Sequence, residues 1–324
     1  LFRSVAVVGT GASSIQFIPA IQPSVKQLYV FQRTAPWVVP KPDASFGGLS
    51  KGIMRHIPMT QKLLRQGTAL SMHMLGVGVR HPNVLSMVGA GIKKTLNLQI
   101  KNPNLRKKIT PDFILGCKRI LFSSDYYPAL ARDNVEVIAS GVSRIEGNRI
   151  VATNGEGCEV DVLIWGTGFD VSHPPLAKKI YRRDGVLLSE HWQKNSPTAY
   201  VGCVVNGVPN AFHILGPNSL AYDSFIEIAE IQLDYVVQAI RYMQKNAVRV
   251  LEVTADAQQA YNHKIQTALK STVFSAGGCV SYYLDDHGKN FAIYPWSLSA
   301  MRQHVSRFDS ESYHVTLEEK VTKH

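Results

Sequence analysis

A glycine-rich turn between an apolar strand and a helix lies near the start of the chain and constrains its fold more than any other feature. Apolar residues 5–8 lead into the run GTGASS at positions 9–14, and a helical pattern follows over residues 15–21. The glycines allow a tight turn and let the backbone approach a pyrophosphate, whose charge meets the positive end of the helix. Ser14 takes the third glycine position, where its small side chain is tolerated. The pattern predicts a strand–turn–helix unit that binds a dinucleotide.

The second strand, predicted over residues 27–30, ends in a basic residue where dinucleotide sites usually carry an acid. Such an acid, about twenty residues after the glycine turn, binds the ribose 2′-hydroxyl of NAD or FAD. Here Arg33 and Thr34 follow the strand, with no acid in reach. A guanidinium and a hydroxyl suit a 2′-phosphate, so the pattern predicts NADPH. The alternative is an ordinary strand–turn–helix unit in which Arg33 is a solvated surface charge.

The net charge of the 324-residue chain is +11, which favours anionic partners. The basic residues are spread out and form neither a compact run nor a zinc or helix-turn-helix signature, so no nucleic-acid partner is predicted. An anionic cofactor, with a peripheral membrane contact as a further contributor, explains the charge. The sequence shows no signal peptide and no apolar run of the about 18 residues that a spanning helix needs, so no transmembrane segment is predicted.

The four cysteines, Cys117, Cys158, Cys203 and Cys279, lie far apart without a Cys-x-x-Cys pair. Such spacing predicts free thiols in a reducing compartment rather than disulfides or a metal site, and hence a cytoplasmic location. Further along the chain, residues 143–153 and 158–165 predict a hairpin around Asn154-Gly155. A helix is predicted after Asp223 with Ser224 and Glu227 as a capping box, and another over residues 255–270 behind Thr254.

Seven motifs spread along nearly the whole chain form a more specific pattern. They are GTGASSIQ at 9–16, VFQRTAPWVVP at 30–40, GCKR at 116–119, SDYYPAL at 124–130, WGTGF at 165–169, LGPNS at 215–219 and GGCVSYY at 277–283. Together they resemble the class B flavin-dependent monooxygenases, most closely the Baeyer–Villiger type. The resemblance implies an α/β protein with two dinucleotide-binding domains and with NADP(H) and FAD as cofactors.

The resemblance also implies a domain organisation. Residues 1–120 correspond to a Rossmann-like NADP-binding domain with a helical insertion at about 46–108, and residues 121–165 to its return strands and a linker. Residues 166–324 correspond to the C-terminal part of the FAD domain. The family begins with a further FAD-binding glycine motif, and the chain starts at Leu1 without it. We therefore expect a truncated form, the C-terminal two-thirds of such an enzyme, whose strand at 160–165 and helix at 224–244 face the missing FAD domain.

Site residues follow from the same resemblance. The pyrophosphate would lie against the glycine turn, the nicotinamide side against Gln16, and the 2′-phosphate between Arg33, Thr34 and Lys118. Arg119 matches the catalytic arginine beside the flavin. The full set of cofactor-binding residues is Gly9, Thr10, Gly11, Ala12, Ser13, Gln16, Arg33, Thr34, Lys118, Gly166, Gly168, Gly216, Asn218 and Ser224, and no metal ligand is predicted.

The implied reaction inserts one oxygen atom of O2 into the carbonyl group of a small organic substrate. NADPH reduces FAD, oxygen adds at the flavin C4a atom, and the peroxide attacks the carbonyl. An arginine suits this chemistry because it stays protonated while it stabilises anionic oxygen. Two alternatives remain open for the chain: an S- or N-oxygenating flavin-containing monooxygenase, and a non-catalytic NADPH-binding module. For Arg119 the alternative is a strand-start residue paired with a carboxylate such as Asp125.

Overall fold

The computed structural model describes residues 2–41, 45–78, 81–221 and 224–317. Its strands are β1 (Phe2–Val8), β2 (Val25–Phe31), β3 (Val38–Val39), β4 (Leu121–Phe122), β5 (Val135–Ile138), β6 (Val142–Glu146), β7 (Arg149–Ala152), β8 (Gly157–Glu159), β9 (Val162–Trp165), β10 (Val248–Val253) and β11 (Tyr313–Leu317). Its α-helices are α1 (Ser14–Ile21), α2 (Gly48–His56), α3 (Pro58–Gly78), α4 (Pro82–Gln99), α5 (Pro103–Ile109), α6 (Tyr126–Leu130), α7 (Leu188–Asn195), α8 (Phe225–Lys245), α9 (Ala255–Leu269), α10 (Val273–Ala276) and α11 (Leu298–His304).

The chain divides into two compact units. The first comprises Leu1–Gly47, Pro82–Phe169 and Gly277–Cys279, and the second comprises Gly48–His81, Asp170–Ala276 and Val280–His324. The helical insertion predicted at 46–108 is therefore shared between them, with α2 and α3 in the second unit and α4 and α5 in the first. The predicted assignment of the units to cofactors stays a prediction.

The first unit is built around a parallel sheet of four strands in the order β5–β2–β1–β9. Val5 of β1 lies opposite Leu28 of β2 and Val162 of β9, and Leu28 lies opposite Val135 of β5. Helix α1 joins β1 to β2 and supplies the crossover that parallel neighbours require. Because the strands run in one direction, the residues that follow them meet at one edge of the sheet. The predicted α/β class with a parallel sheet is confirmed.

Apolar cores cover both faces of this sheet, because successive side chains of a strand point to opposite sides. Val7 packs on one face with Ile18 of α1 and Leu130 of α6. Ala6 lies on the other face in a cluster with Ile150 of β7. That strand belongs to a three-stranded antiparallel sheet, β6–β7–β8. The first unit thus has three layers, and its parallel sheet is covered on both faces.

The second unit is mainly helical and includes the antiparallel pair β10–β11. Helix α8 buries Ile228, Ile231 and Tyr235, whose spacing of three and four residues places them on one face. The Tyr235 hydroxyl donates to Asp309 Oδ1 at 2.6 Å, and the Tyr200 hydroxyl donates to the other carboxylate oxygen. The unit is therefore organised around an apolar helix face and a buried phenol–carboxylate cluster.

The two predicted helices of the second unit are confirmed as α8 and α9, although residues 222–223, including Asp223, lie outside the described residues. The cap of α9 is also confirmed, because Thr254 Oγ1 accepts from the Ala257 amide at 3.2 Å. The predicted capping box of α8 is wrong, since the Ser224 side chain makes no capping hydrogen bond. Glu227 instead pairs with Arg302 Nη2 of α11 at 3.0 Å, and this ion pair holds the carboxylate away from the helix start.

The predicted hairpin is present between β7 and β8, with Asn154 and Gly155 in its turn and a φ of +87° at Gly155. Residues 143–153 are more than one strand, since β6 and β7 form a second hairpin around Gly147. The segment 158–165 is likewise split between two strands, β8 and β9. The Asp161 amide donates to the Ser4 carbonyl at 2.9 Å, and the Ser4 amide donates to the Asp161 carboxylate at 2.8 Å. These bonds direct β9 into the parallel sheet.

The prediction of free cysteines is wrong for two of the four. Cys117 and Cys279 form a disulfide, whereas Cys158 and Cys203 are free and buried. The Ile114 amide donates to the Gly277 carbonyl at 3.1 Å, which folds the distant segment 277–279 against the loop that carries Cys117. Spacing along the sequence could not show this contact, and the cysteines no longer support the predicted cytoplasmic location. Within the described ranges, no helix combines the length and hydropathy of a membrane span.

Candidate functional site

The carboxyl edge of the parallel sheet gathers three of the predicted cofactor-binding segments. Residues 9–13 follow β1, residues 33–34 follow β2 after one intervening residue, and residues 166–168 follow β9. In open α/β sheets, ligands bind in the crevice at this edge. The structure thus brings together predicted residues that are far apart in the sequence.

The turn after β1 is closed by backbone contact with the turn after β9. Gly9 has a φ of +105°, and its amide donates to the Phe31 carbonyl at 3.0 Å. A Cβ at Gly9 would overlap the Gly166 carbonyl, and a Cβ at Gly166 would overlap Ser14 Oγ, which is fully buried. The two glycines and the small Ser14 side chain therefore allow strand, turn and helix to pack together.

Gly11 faces open space, in contrast to Gly9. A Cβ built there would have nothing within 4 Å, and the residue is exposed. Helix α1 begins at Ser14 and has no acidic residue in its first turn, so its positive end is not offset by a side chain. This open cradle at a helix N-terminus fits a pyrophosphate.

Gln16 turns back onto the glycine loop. Its Nε2 donates to the Ala12 carbonyl at 2.7 Å, one turn earlier in the chain. In this position the side chain braces the loop, and its predicted contact on the nicotinamide side of the cofactor stays a prediction.

Lys118 and Arg33 interact electrostatically, although they come from distant segments. Burial lowers the pKa of Lys118, the positive charge of Arg33 lowers it further, and Asp112 opposes the shift. The Lys118 Nζ also lies 5.2 Å from the centre of the Phe113 ring. Two cations held together with one partly removed from water favour a dianion between them, because it offsets both charges. The chemistry of this pair fits the 2′-phosphate of NADPH.

The loop that carries Lys118 is anchored by a buried tryptophan. Trp37 Nε1 donates to the Phe113 carbonyl at 2.9 Å, and its ring packs against Gly89 of α4. Lys93 Nζ lies 5.3 Å from the centre of the same ring. The Cys117–Cys279 disulfide, described above, fixes the loop on its other side. Sequence reasoning missed this support, and the only signal for it was that Trp37 and both cysteines fall within the quoted motifs.

Arg119 follows Lys118 in the same loop and is exposed. The next strand, β4, begins two residues later and pairs in parallel with β3, where the Leu121 amide donates to the Trp37 carbonyl at 2.9 Å. The position is fixed by this pairing. The catalytic role predicted for Arg119 stays a prediction.

The three predicted residues of the second unit have different surroundings. Asn218 is fully buried, and its side-chain amide donates to the carbonyls of Asn290 and Ile293 at 3.0 Å each. Gly216 is buried where a Cβ would not fit. Ser224 is exposed at the start of α8. Gly216 and Asn218 thus shape their own loop, and the predicted cofactor contacts of all three stay predictions.

Comparison with known proteins places these features in a family context. Proteins named Baeyer–Villiger monooxygenase from Pseudomonas aeruginosa and Streptomyces coelicolor are each 41% identical to this chain over 318 and 317 residues, which is 97% of it in both cases. The structure of OTEMO in complex with FAD and NADP matches 97% of this chain and 66% of its own with a TM-score of 0.82 at 20% identity, a likeness of fold. No family model matches the chain. The chain spans 60% and 61% of the two curated relatives.

Proposed function

We propose that the chain belongs to the Baeyer–Villiger type of flavin-dependent monooxygenase and that it carries the NADPH-binding part of an enzyme that inserts one oxygen atom of O2 into a carbonyl substrate. Because the chain spans about 60% of the length of its curated relatives, the activity of the whole protein is part of this proposal. Two observations carry it: Arg33 follows β2 at the edge of the sheet where the glycine turn opens, and its positive charge lowers the pKa of Lys118.

NADPH would be held at two points of the first unit. The pyrophosphate lies beside Gly11 at the N-terminus of α1, where a side chain would otherwise fill the space. The 2′-phosphate lies between Arg33 and Lys118, with the Thr34 hydroxyl as a further donor. Trp37 positions Lys118 by holding the Phe113 carbonyl, so the phosphate site is preorganised. When bound, NADPH supplies a hydride and FAD supplies the centre that activates oxygen.

Arg119 is the residue we propose to act on the reacting atoms. A guanidinium group can stabilise negative charge on oxygen through its positive charge and its fixed N–H donors. The disulfide and the β3–β4 pairing fix the loop on which it lies. In a protein extended to the full length of its relatives, Arg119→Ala should bind NADPH normally and lose oxygenation, and Arg119→Lys should recover part of it. Oxygenation at the normal rate would make Arg119 a structural residue.

An exposed apolar face in each unit supports a further domain in the complete enzyme. In the first unit, β9 is an edge strand whose Trp165 is 58% exposed. In the second unit, α8 exposes Ile226, Leu233 and Val237, which share one side of the helix. Soluble monomers rarely expose contiguous apolar patches of this kind. We propose that the part of the relatives not spanned by this chain covers both faces.

Titration with NADPH and NADH tests the proposal on the 324-residue chain. Charge-assisted hydrogen bonds contribute about 1.5–3 kcal/mol each, so Arg33→Ala or Lys118→Ala should weaken NADPH binding by about tenfold or more. Binding of NADH, which has no 2′-phosphate, should change little in either variant. Lys26→Ala is the matched control, because Lys26 is exposed on β2 at the opposite edge of the sheet from Arg33.

Equal affinity for NADPH and NADH would overturn the proposal, as would an equal loss in the Lys26 control. NADPH binding by a full-length protein that never consumes oxygen would favour the non-catalytic alternative. Oxidation of sulfides or amines without ketone conversion would favour heteroatom oxygenation.

A further inference from the structure

The positive charge of the chain is concentrated in one segment. Residues 44–111 contain 11 Lys and Arg residues and no Asp or Glu. The rest of the chain has 24 basic and 24 acidic residues and is therefore neutral. The whole formal charge of +11 thus belongs to about a fifth of the sequence. A search for long basic runs does not find this concentration, because the longest uninterrupted run has only three cations, at residues 106–108.

Helices α2 and α3 of the second unit carry four of these eleven cations together with exposed apolar side chains. In α2, Leu49 and Ile53 lie four residues apart and share a face with Ile57 directly after the helix, whereas Lys51 and Arg55 share the opposite face. A similar arrangement follows in α3, which begins at Pro58. A helix with an apolar face and a basic face is typical of segments that lie in the plane of a membrane surface.

In α3, Met59, Leu63 and Leu70 are exposed apolar residues, Leu64 is exposed on another side of the helix, and the basic residues are Lys62 and Arg65. Met59 and Leu63 are 61% and 60% exposed, and Leu70 is exposed as well. The separation of four and seven residues places Met59, Leu63 and Leu70 on one side of the helix, which also carries Gln66. Lys62 lies at the margin of this side and Arg65 lies opposite it. Exposed apolar residues on this side therefore extend from Met59 to Leu70, over about three turns.

A side-chain hydrogen bond and a backbone turn connect α2 to α3. Gln61 Nε2 of α3 donates to the Met54 carbonyl of α2 at 2.9 Å, and the Thr60 amide donates to the Ile57 carbonyl at 3.0 Å. None of the residues of α2 is buried, although both helices are well formed. Helix α2 and the first part of α3, over residues 48–68, are thus ordered without any buried residue.

The basic flanks distinguish a lipid surface from a protein partner. The cores of protein interfaces are depleted of charged residues, and lysine is depleted in particular. A nucleic acid would use the cations and leave the row of leucine and isoleucine side chains exposed to water. An anionic bilayer takes up both, since its acyl region accepts the apolar face and its headgroups attract the lysines and arginines.

We propose that α2 and α3 form a membrane-surface anchor that binds bilayers containing anionic phospholipid. The helices lie in the headgroup region without crossing the bilayer, with Leu49, Ile53, Met59 and Leu63 inserted and the basic side chains at the phosphate level. This property is independent of the cofactor site.

Flotation of the purified 324-residue chain with vesicles tests the anchor. Vesicles of phosphatidylcholine mixed with phosphatidylglycerol should bind the chain at least about tenfold more tightly than pure phosphatidylcholine, and added salt should weaken this binding. The variant with Lys51→Gln, Arg55→Gln, Lys62→Gln and Arg65→Gln should lose the preference. The control with Lys178→Gln, Lys179→Gln, Lys245→Gln and Lys264→Gln removes the same charge from exposed sites of the same unit and should retain it.

Insertion of α3 into the bilayer is measured separately, by the fluorescence of a tryptophan placed on its apolar side. The Trp emission of Leu63→Trp should shift to shorter wavelength with anionic vesicles and be quenched by brominated lipid, whereas Leu317→Trp, placed on β11, should not respond. Equal binding to both vesicle types, equal loss in both charge variants, or an unquenched Leu63→Trp would overturn the proposal. It would equally be overturned if the chain ignored vesicles and instead bound RNA, or formed a dimer that Met59→Gln with Leu63→Gln dissociates.

Discussion

The contact between the two glycine turns can be tested by adding one methyl group. Gly9→Ala places a Cβ 2.8 Å from the carbonyl carbon of Gly166, in a backbone conformation with a φ of +105°. The left-handed conformation costs an L-residue about 1–2 kcal/mol. The overlap is with backbone, which cannot rotate away, and overpacking of this kind costs about 1–3 kcal/mol. The variant should therefore lose about 2–5 kcal/mol of the free energy of unfolding, a large part of the usual total of about 5–15 kcal/mol.

Urea unfolding measures this loss when it is monitored by the fluorescence of the first unit's tryptophans, the buried Trp37 and the exposed Trp165. The matched control is Gly11→Ala, whose Cβ meets nothing within 4 Å. It should change the free energy of unfolding by no more than about 0.5 kcal/mol. It should nevertheless weaken NADPH binding, because the new methyl group enters the space proposed for the pyrophosphate. Equal unfolding midpoints for wild type and Gly9→Ala, or an equal loss in Gly11→Ala, would refute the reasoning.

Further predictions concern the loop around Lys118. Since burial and a neighbouring guanidinium lower the pKa of Lys118, the preference for NADPH should fall as pH rises through that lowered pKa, and Lys118→Arg should remove this dependence in a titration series. Trp37→Phe leaves the Phe113 carbonyl without its donor and should cost about 1–3 kcal/mol of stability by urea unfolding and also weaken NADPH binding. Alkylation of the unfolded chain should modify two cysteines without reductant and four with it, and peptide mapping should identify Cys117 and Cys279 as the protected pair.

Much of the fold could be predicted because its signals are local. The run from Gly9 to Ser14 determines a turn within a few residues, and the apolar spacing in α8 and α9 is complete within each helix. The predictions that failed concern contacts between distant segments. Glu227 forms an ion pair with Arg302 of another helix, and Cys117 forms a disulfide with Cys279, 162 positions away. Neither contact has a signature in the spacing of the sequence.

The candidate site shows the same division. Arg33 could be inferred from the residues alone, because its distance from the glycine turn is set by one helix and one strand. Lys118 could be inferred only from the family resemblance, since its loop reaches Arg33 through the anchoring of Phe113 by Trp37. The basic amphipathic pattern around Lys51 was missed for a different reason, because cations spaced by helical turns do not form a run.

The central claim, that Arg33 and Lys118 hold the 2′-phosphate, is tested most directly by phosphorus NMR of NADP+ bound to the chain. A phosphomonoester has a second pKa of about 6. Two adjacent cations stabilise the dianion, so the 2′-phosphate resonance of the bound cofactor should stay at its dianionic position well below that pH. In Arg33→Ala with Lys118→Ala the resonance should titrate again near the value for free NADP+. A bound 2′-phosphate that titrates like the free cofactor in the unaltered chain would contradict the account.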